Sequence, residues 1–509
     1  MRCLRETCRE VMLTRSSLSS TYASYKQKVK EYLEEGKYEE GLLEAETAAH
    51  LATSHPFLES YGDGDLERIL WKEFEVRFGA IEFVEQTQKV VFYNSQIVDS
   101  GALTQQYLDF FIEHDYDVLF IVPYHRNTLL APSIKKMIRS EKSVELYIPR
   151  GGTYQLKMKN IIQKIVDFGP QYSFIHMVPY DVLAFSIFSN VKSSIRYYIV
   201  HNDHTYWLGK LCADYFLEFR NFGICMSVNR RGIAPSKIRR LPYYPIDDQN
   251  EYQGLPFDTA GKVVGLLAAN PYKFMMDREK TILTILLEKL NKHSDFVVVI
   301  AGRRSKKLNQ FIRENELQER FYYIGHRADF RALMENIDIY INSYPLIGGL
   351  TTQFAAASGK PIVSYTKKEL EFTNAAEGLL KVCKEPITYT DLEAYSDRLS
   401  DLIEHRYLRD RFNSGAVIST VSKPEFDTTL GKIINNPGRF TNDVCDCDLM
   451  HEDDTFLDYY IQRAYKVEDA KQQIRKIHAI QSKFGEVPFV IRHKIAQFAK
   501  KYIFRGSKF

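Results

Sequence analysis

The chain has 509 residues, room for about two to four domains at roughly 150 residues each. Apolar residues make up 45% and charged residues 26%, which excludes a disordered chain, and no run of about 18 apolar residues is present to span a bilayer. Lys plus Arg (68) nearly cancels Asp plus Glu (65), so the net charge of +3 offers no cationic excess for tracking phosphates, and no nucleic-acid partner is expected.

Seven cysteines include no CxxC pair, and Cys445-Asp446-Cys447 has no partner pair. The expectation is reduced thiols in a cytoplasmic protein. The N-terminus, MRCLRETCREVMLTRSS, has no apolar h-region and does not read as a secretory signal. Residues 22–55 read as two amphipathic helices broken at Gly36 and closed by Pro56. They fit either one tetratricopeptide-like unit or an ordinary helical hairpin.

From residue 88 the pattern changes to strands alternating with helices. Strands are expected at 89–93, 118–122, 144–148, 174–178 and 197–200, with ALTQQYLDFFIEHD as a helix between the first two. Residues 245–260, PIDDQNEYQGLPFDTA, break the periodicity and read as a linker. A second series follows, with strands at 263–268, 296–301, 321–324, 337–341 and 361–365. Its helices include MMDREKTILTILLEKLNK and KKLNQFIRENEL. Two parallel α/β units in tandem are therefore expected. The C-terminal stretch 488–509 is basic, with Ile491, Ile495, Phe498 and Tyr502 on one helical face. It suits either an interfacial helix drawn to anionic lipid or a surface helix packed on the body.

The most informative stretch is IDIYINSYPLIGGLTTQFAAASGKPIVSY, from Ile337 to Tyr365. A strand, a glycine-rich turn and a small-residue helix make an anion site, because amides at the helix start lack acceptors and glycine admits a phosphate. Gly348, Gly349, Thr351 and Thr352 are the expected contacts. No Walker lysine follows, so this is not a P-loop.

Here the sequence resembles the nucleotide-sugar glycosyltransferases of GT-B fold. Pro345-Leu346, Gly349 and Thr351-Thr352 look like the O-GlcNAc transferase and bacterial protein-glucosyltransferase group. The wider similarity runs from about residue 88 to 420. The resemblance implies an α/β protein with two Rossmann-like parallel-sheet domains facing across a cleft and flanked by helical segments. The expected division is a helical segment at 1–85, an acceptor domain at 86–250, a donor domain at 260–425 and a helical, basic tail at 426–509. Two departures stand out. Gln353, Phe354 and Ala355 occupy the region where many such enzymes carry a ribose-gripping carboxylate, and Leu350 aligns with a donor-contacting histidine.

The resemblance places Lys273, after the first strand of the second unit, against the leaving diphosphate. Arg303 and Arg304 follow the second strand, at the strand end where such sheets bind ligands, and Arg303 is preferred. In the first unit, His201-Asn202-Asp203-His204 follows a strand directly. A neutral His201 or His204 can take a hydroxyl proton, and Asp203 can orient the imidazole. The spacing is not that of a zinc motif, so no metal is expected. The loop containing Ser100 and Gly101 faces the cleft in proteins of this fold. His125, Arg126, His326 and Arg327 lie on further edge loops.

The expected function is transfer of a sugar from a nucleotide-diphosphate donor, UDP-sugar first, to a hydroxyl of a glycan, lipid-linked glycan or protein. The setting would be bacterial surface polysaccharide or glycoconjugate assembly, with no other cofactor. The expected location is cytoplasmic, with peripheral contact to an anionic membrane through the tail. A nucleotide-sugar 2-epimerase would share the fold but lacks an acidic cluster here. A non-catalytic glycosylation chaperone or acceptor-binding protein is the other alternative.

Overall fold

The computed structural model describes residues 15–438, apart from 55–56, 59, 97–102, 124–129, 247–249, 276 and 278. Two parallel sheets organise it. In the first lie β1 (Gln86–Asn94), β2 (Asp117–Ile121), β3 (Val144–Tyr147), β4 (Pro170–His176), β5 (Ile195–Ile199), β6 (Tyr215–Glu218) and β7 (Ile238–Arg240). Their order is β3-β2-β1-β4-β5-β6-β7. In the second, β8 (Val263–Ala268), β9 (Phe296–Ala301), β10 (Phe321–Tyr323), β11 (Ile339–Ile341) and β12 (Ile362–Tyr365) are joined by β14 (Thr388–Tyr389). Their order is β10-β9-β8-β11-β12-β14. Strands β13 (Val382–Cys383) and β15 (Ile418–Ser419) form a small antiparallel ribbon.

Both sheets thus reverse direction beside their first strand, the doubly wound order with a ligand crevice at the reversal. β8 is buried along its whole length, as a parallel strand covered by helices on both faces must be. In the first sheet Phe92 stands level with Phe120 and Phe174, and Tyr107 and Phe111 pack over Phe92 from the following helix.

The expected strands are all present, two of them with the expected ends and the others shifted by up to four residues. β6 and β7, at four and three residues, went unpredicted because so short a run carries no periodicity. The N-terminal hairpin spans Arg15–Glu34 and Tyr38–Ser54, and Gly36 at φ +74° makes the turn between them. A third helix, Gly64–Phe78, is capped by the Asp63 carboxylate, which accepts from the amides of Asp65 and Leu66.

These helices share one core with the first lobe, in which Leu42, Ala45 and Ala49 join Met158 and Ile161. The Glu39 carboxylate accepts from the Tyr154 and Gln155 amides, both at 2.8 Å, and so caps the helix of the first lobe that begins there. The hairpin is therefore built into the lobe.

The linker stretch 250–260 carries neither helix nor strand. The Gln253 amide donates to Asp329 at 2.8 Å, and Arg327 donates to the Gly254 carbonyl at 2.9 Å. Arg327 thus serves the linker. The last described helix, Lys423–Asn435, crosses back to the first lobe. Its Phe426, Leu430, Ile433 and Ile434 join the core of Phe92 and Tyr107. The basic tail expected beyond it lies outside the described residues. Among those described, no helix is long and apolar enough to cross a membrane.

Candidate functional site

The glycine-rich turn lies between β11 and the helix Gly349–Ala357. Four successive carbonyls of this turn are engaged. Asn374 Nδ2 donates to Pro345 at 3.0 Å, and Ser343 Oγ donates to Leu346 at 2.6 Å. Lys273 Nζ donates to Ile347 at 3.1 Å, and Thr352 donates to Gly348 through both its amide and its hydroxyl. Asn342 closes the strand end, accepting from the amides of Ser343 and Gly348 on one oxygen and donating to Thr352 Oγ1. The amides of Gly349, Leu350 and Thr351 remain, and a helix's first turn supplies them no acceptor. The carbonyls are hydrogen-bonded and the free N–H groups form the positive end of the helix dipole.

This arrangement corrects the expectation for Thr352. Its side chain is fully buried, and its hydroxyl braces the turn from inside. Thr351 is partly exposed and shares a 2.6 Å hydrogen bond with Tyr340 Oη. Both glycines are required by crowding. A Cβ on Gly348 would lie 2.1 Å from Thr351 Oγ1, and one on Gly349 would lie 2.6 Å from Tyr243 Oη.

Lys273 follows β8, and β8 and β11 are the neighbours at which the strand order reverses. Lys273 and the turn therefore meet at the switch point of the second sheet. Burial lowers the Lys273 pKa below the ordinary lysine value. Arg303 is exposed, and its amide donates to Asn270 Oδ1 at 3.2 Å. A Cβ on Gly302 would lie 2.3 Å from the Ala269 carbonyl, so glycine lets the loops after β8 and β9 touch. The structure thus gathers Lys273, Gly348, Gly349, Thr351 and Thr352, with Arg303 on the adjoining loop. Gln353, in the place of the missing carboxylate, is buried. Its Nε2 donates to the Tyr243 and Leu379 carbonyls, tying this helix to the segment that leaves the first lobe.

In the first lobe, His201 is exposed just beyond β5. Asp203 is 1% exposed and Arg220 grips it, with Nε at 2.5 Å from Oδ2 and Nη2 at 3.0 Å from Oδ1. Burial alone would raise the Asp203 pKa, but Arg220 and His204 hold it well below the carboxylate range. His204 Nδ1 lies 3.1 Å from Asp203 Oδ1, the orienting contact expected of an Asp–His pair. The residue expected only to orient a base thus also forms a buried ion pair.

Sequence reasoning missed Arg220 and its neighbours. Arg231 donates to the carbonyls of Asp203 and Thr205 and stacks on Trp207. Glu218, closing β6, is fully buried and raised to about 7 by burial. His176, closing β4, is also fully buried, with no hydrogen-bond partner at either ring nitrogen among the described residues, and its ring lies 5.5 Å from that of His201. The one signal available was a polar residue ending an apolar strand, as in YSFIH and YFLE. Ser100, Gly101, His125 and Arg126 lie outside the described residues, and His326 is exposed.

The lobes touch along this edge. Arg220 Nη1 donates to the Thr373 carbonyl at 2.8 Å, and Phe222 meets Phe372 edge to face at 5.5 Å.

No family model matches the chain, and no curated protein matches its sequence. Solved structures do match. HepE of Anabaena in complex with UDP is 15% identical, over 68% of this chain and all of that one, with a TM-score of 0.50. HepE with UDP-glucose matches at 15% identity over 68% of this chain and 99% of that one, also at 0.50. An O-GlcNAc transferase mutant of Thermobaculum terrenum is 12% identical over 84% of this chain and 87% of that one, at 0.46. With its two parallel-sheet lobes and flanking helices, the chain has the GT-B fold.

Proposed function

We propose that the protein is a glycosyltransferase that moves a sugar from a nucleotide-diphosphate donor to an acceptor hydroxyl, with protein groups rather than a required metal facing the diphosphate. The carrying observation is the turn before Gly349, whose four carbonyls from Pro345 to Gly348 are engaged while its helix-start amides stay available, with Lys273 bound across it. That arrangement suits a pyrophosphate leaving group. HepE, of the same fold, has been solved with UDP and with UDP-glucose, which makes a UDP-sugar the first donor to try.

In the proposed reaction the acceptor oxygen attacks the anomeric carbon. The bond to the β-phosphate oxygen breaks, and its electron pair goes to the diphosphate. The hydroxyl proton passes to an imidazole nitrogen of His204 or His201. The helix-start amides, Lys273 and Arg303 stabilise the charge that grows on the leaving group, and one such donor contributes about 3–4 kcal/mol in related oxyanion sites. A glycan or lipid-linked acceptor in surface polysaccharide assembly, with peripheral membrane contact, remains our reading of its setting.

The test is a thermal-shift screen of UDP-, GDP-, CMP- and dTDP-sugars, followed by donor hydrolysis. A stabilising donor that is slowly hydrolysed, with hydrolysis lost in Lys273→Ala, supports the proposal. No response to any of them overturns it, and acceptor binding without turnover points to the chaperone reading.

A further inference from the structure

The His204 loop and the donor turn lie on different lobes, yet a continuous series of polar contacts joins them. His204 Nδ1 lies 3.1 Å from Asp203, and Asp203 is held by two nitrogens of Arg220. The third nitrogen, Nη1, reaches the Thr373 carbonyl of the second lobe at 2.8 Å. The next residue, Asn374, donates to the Pro345 carbonyl at 3.0 Å and to Thr366 Oγ1 at 3.2 Å, so it is fixed to the donor turn. Asp203, Arg220, Thr373 and Asn374 are all buried. Phe222 stacks under the guanidinium at 4.8 Å and itself touches Phe372 of the other lobe.

A planar guanidinium has donors enough to hold a carboxylate with one edge and a carbonyl with another, whereas an ammonium is a single point of contact. We infer that Arg220 is a positioning residue that sets His204 through Asp203 only while the lobes are engaged at Thr373, so that the base is aligned when the donor turn is in place. This rests on the function proposed above for both loops.

The test uses the full chain and the variants Arg220→Lys and Asp203→Asn, with two readouts. The first is amide hydrogen exchange. Arg220→Lys is expected to speed exchange about tenfold in peptides covering both 201–209 and 371–379, and to leave 296–301 unchanged. Asp203→Asn, which spares the Thr373 contact, should loosen 201–209 alone. The second is steady-state transfer with the donor found by the screen. Arg220→Lys should lower kcat about 10- to 100-fold, less than the roughly 10²- to 10⁴-fold worth of a positioned base because the base is misaligned rather than removed, with donor KM within about twofold of wild type.

If Arg220→Lys loosens only one of the two segments, the coupling is absent. If kcat and KM change together with a general loss of protection, Arg220 is structural only. A wild-type chain inert towards every donor would sink the proposed function, while the exchange experiment would still decide whether the lobes are coupled. Should Arg220→Lys not fold, Arg220→Gln, which keeps a donor near the Nε position facing Asp203 but stops short of Thr373, serves in its place. Loosening of both segments is then expected, and loosening of 371–379 alone or of neither segment overturns the inference.

Discussion

Lys273 Nζ lies 3.1 Å from the Ile347 carbonyl oxygen, so a residue that follows β8 braces the turn that follows β11. The contact spans the point at which the strand order of the second sheet reverses. Burial holds the Lys273 pKa below its ordinary value, and only an anion or a carbonyl compensates that charge. Lys273→Ala is expected to reduce turnover by about 100- to 1000-fold, as the loss of a transition-state donor does, while the melting temperature changes little. Binding of a nucleoside diphosphate should weaken as pH rises through the lowered lysine pKa. Lys273→Arg, always charged, should lose that pH dependence, which titration calorimetry across the alkaline range measures.

Gly349 has no room for a side chain, because a Cβ there would come within 2.6 Å of Tyr243 Oη. Gly349→Ala is therefore expected to destabilise the protein by about 1–3 kcal/mol through overpacking. Removing the obstructing hydroxyl in Tyr243→Phe should recover part of that loss, so the double variant should be more stable than the sum of the singles predicts. Chemical denaturation of the four proteins checks this. Strict additivity would show that the strain lies elsewhere.

The two threonines of the turn should behave differently. Thr352 is fully buried and its hydroxyl both donates to Gly348 and accepts from Asn342. Thr352→Val takes the acceptor from buried Asn342 Nδ2 and leaves the Gly348 carbonyl only the Thr352 amide, so it should cost about 1–3 kcal/mol of stability. Thr351 is partly exposed beside the helix-start amides. Thr351→Val should lower donor affinity by a few-fold with a smaller change in melting temperature. Equal losses of stability in the two variants would refute this division.

Much of this site was legible in the sequence because it depends on local chemistry. A strand, two glycines and a small-residue helix specify a turn whatever surrounds it, so Gly348 and Gly349 could be named before their geometry was known, while Lys273 was named only through the resemblance to GT-B glycosyltransferases. Thr352 was misread because its partners, Asn342 and the Gly348 carbonyl, are set by how the turn folds back on itself. Arg220 was not legible at all. It is 17 residues from Asp203 and 153 from Thr373, and nothing in LEFRNFG marks that arginine among the many others of the chain. The strands β6 and β7 were invisible for a related reason. They are held by pairing, β6 with β5 and β7 with β6, and by the core around Phe216 and Ile238, not by an alternation of their own.

The last helix should be an energetic clasp between the lobes. Phe426 is 1% exposed and meets Tyr107 and Tyr244 edge to face at 5.5 and 5.3 Å. Lys423 at the helix start reaches Glu113 of the first lobe at 2.5 Å. Phe426→Ala is expected to cost about 3–5 kcal/mol, the range for truncating a buried aromatic. Lys423→Ala should cost less than about 1 kcal/mol, since the ion pair is partly exposed. A Phe426→Ala protein as stable as wild type would mean that the helix adds nothing to the first lobe.

Glu67 supplies a pH test of how the N-terminal helices are joined to the body. Its carboxylate accepts from the amides of Gly209, Lys210 and Leu211 at 2.8 to 3.1 Å and so pins the end of the His204 loop. Burial raises its pKa from 4.5 to about 7, and the three amides only partly oppose that shift. A carboxyl whose folded pKa lies above its unfolded value binds its proton more tightly when folded. Its contribution to stability is complete below about 4.5 and is lost as pH climbs through about 7. Glu44 and Glu218, also raised to about 7 by burial, act in the same direction. Glu67→Gln removes one titrating group while keeping its shape. Relative to wild type, its stability should therefore improve by on the order of 1–3 kcal/mol between about pH 5 and about pH 8. Unfolding curves at several pH values measure the difference, and parallel curves for the two proteins would show that Glu67 is ionised throughout.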